Sequence, residues 1–187
     1  MEYSAKQSLD VAIDEIINSY LLAMHTILIG EVTEFNAAEQ TLSVQPVNKR
    51  KMVTADMAEP LPIITDVPIV WPGAGDYWVT FDIPVGSAVL LLCAERNISV
   101  WMEEGGIVDP ADPTKFDLSD AIAIPCLNHK KSVLSTIDSD AITIRNRDND
   151  AYVKLSGTKI EIKNGNGSVV LESNGKVKIN NHLTVDP

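Results

Sequence analysis

Six short apolar runs between Ala141 and Val185 constrain this chain more than any other feature. They are Ile142-Thr143-Ile144, Val153-Lys154-Leu155, Ile160-Glu161-Ile162, Val169-Val170-Leu171, Val177-Lys178-Ile179 and Leu183-Thr184-Val185. Each sets apolar residues at i and i+2, and in all but one the residue between is polar. That is the period-two pattern of a half-buried strand. Asn149-Asp150, Ser156-Gly157, Asn164-Gly165-Asn166-Gly167 and Asn174-Gly175 separate the runs, and such residues tolerate the positive φ of tight turns. A short, irregular repeat of this kind suggests a stacked β ladder. A ribbon so thin has no second layer to cover its apolar face, so it needs copies of itself. Closing several ribbons around an axis supplies that layer and removes exposed edges. The pattern predicts an intertwined homo-oligomeric β shaft, three-fold, over residues 132–187.

The rest of the chain carries a different signature. Residues 1–131 hold 8 Lys+Arg against 19 Asp+Glu, a net −11, whereas residues 132–187 hold 7 of each. An acidic head is a poor match for nucleic-acid phosphates and suits docking onto a basic protein surface. Over residues 5–24, Leu9, Ile13, Ile16, Tyr20 and Met24 recur at three- and four-residue steps. This predicts an amphipathic helix over residues 1–25, most simply packed on its own domain. Its polar face, with Asp10, Asp14 and Glu15, is acidic, which argues against a membrane surface.

Residues 26–131 read as a small β barrel. Candidate strands are Ile27–Phe35, Thr41–Pro46, Ile69–Trp71, Trp78–Phe81, Ser87–Ala94 and Ile122–Ile124. Val85 and Val89–Cys93 form the most continuous apolar run, as expected of a strand buried on both faces. Pro60, Pro62, Pro68 and Pro72 mark an excursion that cannot be central strand, and Glu103 to Leu118 reads as an irregular surface loop. Five or six strands in about 100 residues with one long insertion fit an OB-like barrel. The fold class is therefore mainly β: helix, OB-like barrel, then shaft.

Chemistry is sparse. Cys93 and Cys126 sit in apolar settings and read as two buried reduced thiols. The start of the chain lacks the pattern of a signal peptide, and no apolar run approaches a membrane span, so synthesis in a cytoplasm is expected. His25 and His129 read as surface or capping residues. His182 differs in its place near the end of the shaft, where three copies could approach an axis and hold a metal by symmetry. Glu103-Glu104 is a solvated loop pair rather than an acid/base dyad, and the sequence has neither a nucleophile elbow nor a phosphate loop. Trp71, Tyr77, Trp78, Phe81 and Trp101 read as core or interface residues rather than base-stacking platforms. Arg96 follows the longest apolar run, and an ion pair to Asp117 or Asp120 is expected to pin the long loop. A non-enzymatic protein is the expectation.

Several stretches together resemble a known family. They are His25-Thr26 leading to Gly30-Glu31-Val32, then Val44-Gln45-Pro46-Val47, Asp66-Val67-Pro68 and Pro84-Val85-Gly86-Ser87. The most specific are Glu95-Arg96-Asn97-Ile98 with Trp101, and Phe116-Asp117-Leu118-Ser119-Asp120-Ala121. The head resembles the N-terminal OB domain of the central spike proteins of contractile-tailed bacteriophages, and the shaft is similar to that family's trimeric β-helix. The resemblance implies a homotrimeric virion component of the tail baseplate. Its OB collar would join tail tube or baseplate hub proteins, and its shaft would pierce the host outer membrane. No nucleic-acid partner is expected, given the acidic head. Such spikes often hold an iron ion at the tip through a His-x-His pair, and this chain departs there, with His182-Leu183-Thr184 and no second histidine. A receptor- or glycan-binding tail fibre and a cell-wall hydrolase are the competing readings.

Overall fold

A computed structural model describes residues 2–50, 57–180 and 182–185, and the chain divides into two compact units, Met1–Asn128 and His129–Pro187. The first begins with helix α1 (Glu2–Ala23), followed by strands β1 (Ile27–Asn36), β2 (Thr41–Pro46) and β3 (Ile64–Pro68). A two-residue hairpin, β4 (Gly73–Ala74) and β5 (Tyr77–Trp78), leads to β6 (Ala88–Cys93), helix α2 (Ser99–Glu104), a 3-10 turn (Leu118–Asp120) and β7 (Ala121–Leu127). The sheet order is β3-β2-β1-β6-β7, every neighbour antiparallel. Just past β3, Ile69 bridges Ala123 of β7 in parallel, and the Val70 N–H donates to the Ala123 carbonyl at 2.9 Å. That contact brings the two outer strands together, so the sheet coils into a half-barrel.

The long strand β1 makes the coiling possible. Its first half pairs with β6 and its second half with β2, with a register shift between Val32 and Glu34. Gly30 lies where the two pairings overlap, and a Cβ there would stand 2.2 Å from Val44 Cγ1. Glycine alone fits that close approach. The coil closes over Val32, Leu42, Val44, Val67, Val89 and Leu91, each 2% exposed or less, with Ala121 and Ala123 beside them.

Several expectations are corrected. The third strand lies at Ile64–Pro68 rather than Ile69–Trp71, and residues 79–81 lie outside β5. β6 is not buried on both faces: Val89, Leu91 and Cys93 point inward, while Leu90 and Leu92 are half-buried. Across the register, Ile27 and Ile122 flank Leu92, and Ile29 and Ile124 flank Leu90. The outer face of β1-β6-β7 thus carries an apolar patch of its own. Over its described side chains, helix α1 does not pack on its own domain either. Every side chain from Leu9 to Ala23 is exposed, because apolar residues such as Val11, Ile17, Leu21 and Leu22 fall off the expected seam and the helix has no single apolar face. No described helix is long and apolar enough to cross a membrane. Cys93 is a buried free thiol whose pKa is pushed up to about 11, chiefly by burial; the setting of the Cys126 side chain lies outside the described residues.

The second unit is an antiparallel meander in chain order: β8 (Ala141–Arg145), β9 (Ala151–Ser156), β10 (Lys159–Asn164), β11 (Gly167–Glu172), β12 (Val177–Ile179) and β13 (Leu183–Val185). The turns place Asn149, Gly165, Gly175 and Asn180 at positive φ. Each of the six repeated runs is a strand.

Candidate assembly face

Pairing in the meander sorts its side chains into two faces. Ile142, Leu155, Ile160, Leu171, Val177 and Val185 face one another in one row across all six strands. Ile144, Val153, Ile162, Val169, Ile179 and Leu183 make a second row beside it. Both rows lie on the same face, because they are two residues apart on every strand. The opposite face carries Thr143, Arg145, Tyr152, Lys154, Glu161, Lys163, Glu172 and Lys178, with Val170 the apolar exception.

The burial is inverted from that of an ordinary sheet. Ile142 is 71% exposed, Ile144 66% and Ile162 49%, while the Lys154 and Glu161 side chains on the polar face are only 21% and 15% exposed. The segment before β8 explains this. Lys154 Nζ pairs with Asp138 at 2.9 Å, and the Arg145 guanidinium donates to the Thr136 carbonyl at 2.7 Å and to that of Ser135. Arg147 donates to the carbonyl and hydroxyl of Ser132. Residues 132–138 are thereby strapped across the polar face.

Charges on that face are paired locally. Lys159 Nζ lies 2.7 Å from Glu161, whose other oxygen accepts the Tyr152 hydroxyl at 2.9 Å, and Lys178 Nζ lies 2.6 Å from Glu172. The lysine hydrogen bonds hold the carboxyls of Glu161, Glu172 and Asp138 below their ordinary pKa values. Burial, and then the bond to Glu161, raise that of Tyr152. Most charges of the polar face are thus paired within the chain, whereas nine of the twelve apolar-row side chains are exposed.

A family model described as the phage protein Gp138 N-terminal domain matches residues 28–126. The chain belongs to that family. The match runs from the second residue of β1 into β7, so the Gp138 N-terminal domain is the half-barrel, and the meander lies beyond it. No curated protein matches the chain.

The residues singled out by sequence fall in several places. In the Gp138 N-terminal domain, Arg96 does not pair with Asp117 or Asp120. It is exposed and lies 3.2 Å from its neighbour Glu95, out at the surface, whereas Asp120 is buried at 2% exposure and a guanidinium would have to shed its water to reach it. Asp117 Oδ1 accepts the Ser119 N–H and hydroxyl, which lower its pKa, and Asp120 Oδ1 accepts the Ile98 N–H at 3.0 Å. Glu103 and Glu104 end α2, a helix that runs into the start of the expected loop. Trp71 packs edge-on against Phe81, ring centroids 5.2 Å apart, whereas Tyr77, Trp78 and Trp101 are exposed. His129 Nδ1 accepts the Lys131 N–H, and the His25 N–H donates to the Phe116 carbonyl.

His182 is exposed in the β12–β13 turn, its N–H donated to the Ile179 carbonyl at 3.0 Å. Among the described residues no group of three His, Cys, Asp or Glu is placed to hold a metal. His182 would offer one imidazole per chain to a metal on a three-fold axis. Asp186 and Pro187, at the chain end, lie outside the described residues. Sequence reasoning missed the strap, most of whose acceptors are backbone carbonyls that leave no side-chain signature.

Proposed function

We propose that this phage structural protein is the central spike of a contractile tail, a non-enzymatic virion component. Three copies lay their meanders together, apolar faces inward, as an intertwined β-helical shaft that pierces the host outer membrane during infection. The N-terminal domains, read as OB barrels, form the collar that joins the tail tube and baseplate hub.

The observation that carries this reading is the inverted meander. Of the twelve apolar side chains in two rows, nine are exposed and Val153, Val169 and Val177 are half-buried, while the polar face is strapped by residues 132–138. Burying an aliphatic side chain contributes roughly 1.5–3 kcal/mol, so self-association is the economical way to cover such a face. The apolar patch on β1-β6-β7 suits contact between neighbouring heads. The shaft is also badly furnished for sugar recognition, because Tyr152, its one aromatic residue, is tied to Glu161.

The test is genetic and structural. Phage particles made without this chain should assemble tails that lack the distal spike density and fail to infect, and the wild-type chain supplied in trans should restore both. Infectious particles with an intact spike in its absence would contradict the proposal, as would peptidoglycan release by the purified protein.

A further inference from the structure

A cavity of about 300 Å³ lies beside α2 in the N-terminal unit. Pro68, Ile98 and Met102 give it apolar wall, Asp66, Glu103 and Asp120 bring carboxylates, and Asn97, Ser99 and Ser119 add neutral polar lining. Asp120 is the unusual member. It is 2% exposed, its Oδ1 holds the Ile98 amide, and its Oδ2 has no hydrogen-bond partner. A buried carboxylate oxygen left without a donor is costly, and the neighbouring cation Arg96 is turned to Glu95.

We propose that this cavity receives the guanidinium of an arginine on a docking protein. An arginine suits the apolar and acidic walls alike, its aliphatic stem against Pro68, Ile98 and Met102 and its planar head toward the three carboxylates. A bare metal ion suits them less, since the described carboxylates do not converge into a ligand set. Arginine is favoured over lysine because its fork of donors is weakly hydrated and can serve several oxygens at once. The acidic balance of residues 1–131, 8 Lys+Arg against 19 Asp+Glu, favours a basic protein partner and disfavours nucleic acid. Trp101 and Met102 stand half-exposed on α2 beside the cavity, the residue types enriched where proteins meet. The inference concerns the N-terminal unit alone and holds whatever the meander assembles into.

The test uses the isotope-labelled full-length chain, titrated with N-acetyl-arginine methylamide and, separately, with its uncharged analogue N-acetyl-citrulline methylamide. Saturable shifts of the Ile98, Met102 and Ser119 amide signals are expected with the arginine probe, and a response at least about tenfold weaker with citrulline. Asp120→Asn should weaken the arginine probe by a similar factor. Because Asp120 also anchors Ile98, Met102→Arg provides a second variant. It supplies the guanidinium internally, should raise the melting temperature of the N-terminal unit, and should abolish the probe response. Equal responses to the two probes would overturn the proposal, as would shifts scattered over the acidic surface or an unchanged response in Met102→Arg. Silence of the wild-type chain in both titrations would also overturn it, with a water molecule then the partner of Asp120. A response that emerges only after Ile162→Asp disperses the assembly would give the guanidinium to a second copy and overturn a partner protein as its source.

Discussion

The two units apply one rule, apolar and polar residues alternating along strands, and reach opposite results. In the N-terminal unit β1 is ten residues long, shifts register at Thr33, and passes from one partner strand to another. The sheet therefore coils, and its apolar face becomes an interior closed by the chain's own strands. In the C-terminal unit the strands are three to six residues long and each pairs only with its sequence neighbours. Nothing in that ladder brings its ends together, so the apolar face stays outside. A chain can thus encode a private core and an exposed apolar face with the same alphabet, and strand length and partner exchange decide which.

The contrast can be broken most sharply at the exposed apolar face, where the proposed assembly would form. Ile162→Asp puts a carboxylate in the second apolar row, where assembly would bury it unpaired at a cost of about 3–5 kcal/mol per copy. The expected result, read by light scattering, is loss of the oligomer with the N-terminal unit still folded by near-ultraviolet circular dichroism. At the private core, Leu91→Ala removes a fully buried side chain. It should destabilise the N-terminal unit by about 2–5 kcal/mol in urea unfolding, with no change in the mass of the assembly.

The strapped polar face gives a smaller, pH-dependent effect. Glu161, Glu172 and Asp138 have depressed pKa values in the folded chain. Their contribution is therefore complete above the ordinary carboxylate values of 4.5 and 3.8 and is lost as pH falls through the lower folded ones. The melting temperature of the meander should hold between about pH 8 and pH 5 and drop below about pH 4. Glu161→Gln should flatten that drop. The smallest effect is expected at Arg96. Its exposed pair with Glu95 predicts that Arg96→Ala changes unfolding free energy by no more than about 0.5 kcal/mol. A larger loss would restore the ion pair to Asp117 or Asp120 that the geometry lacks.

Legibility in the sequence followed the same division. The meander was readable strand by strand, because each run alternates and each turn carries Asn or Gly at the bend. Its exposed face was readable too, since i and i+2 define it. β3 was not, because Pro62 and Pro68 frame it and Asp66, at φ 56°, breaks the alternation between Ile64 and Val67. Helix α2 has six residues and no side-chain cap at its N-cap residue, too little for a periodic signal. Arg96 and Asp120 looked like partners by charge, but Asp120 is buried while Arg96 stays at the surface beside Glu95. The cavity beside α2 is assembled from three separate stretches, β3, α2 and the 3-10 turn, which spacing alone does not join.

The most direct test of the central claim is the solution mass of the full-length chain at micromolar concentration. Light scattering should return three times 20.4 kDa, with the apolar rows buried between copies. A monomer of 20.4 kDa that stays folded would contradict it, since the two rows would then be stable in water without cover.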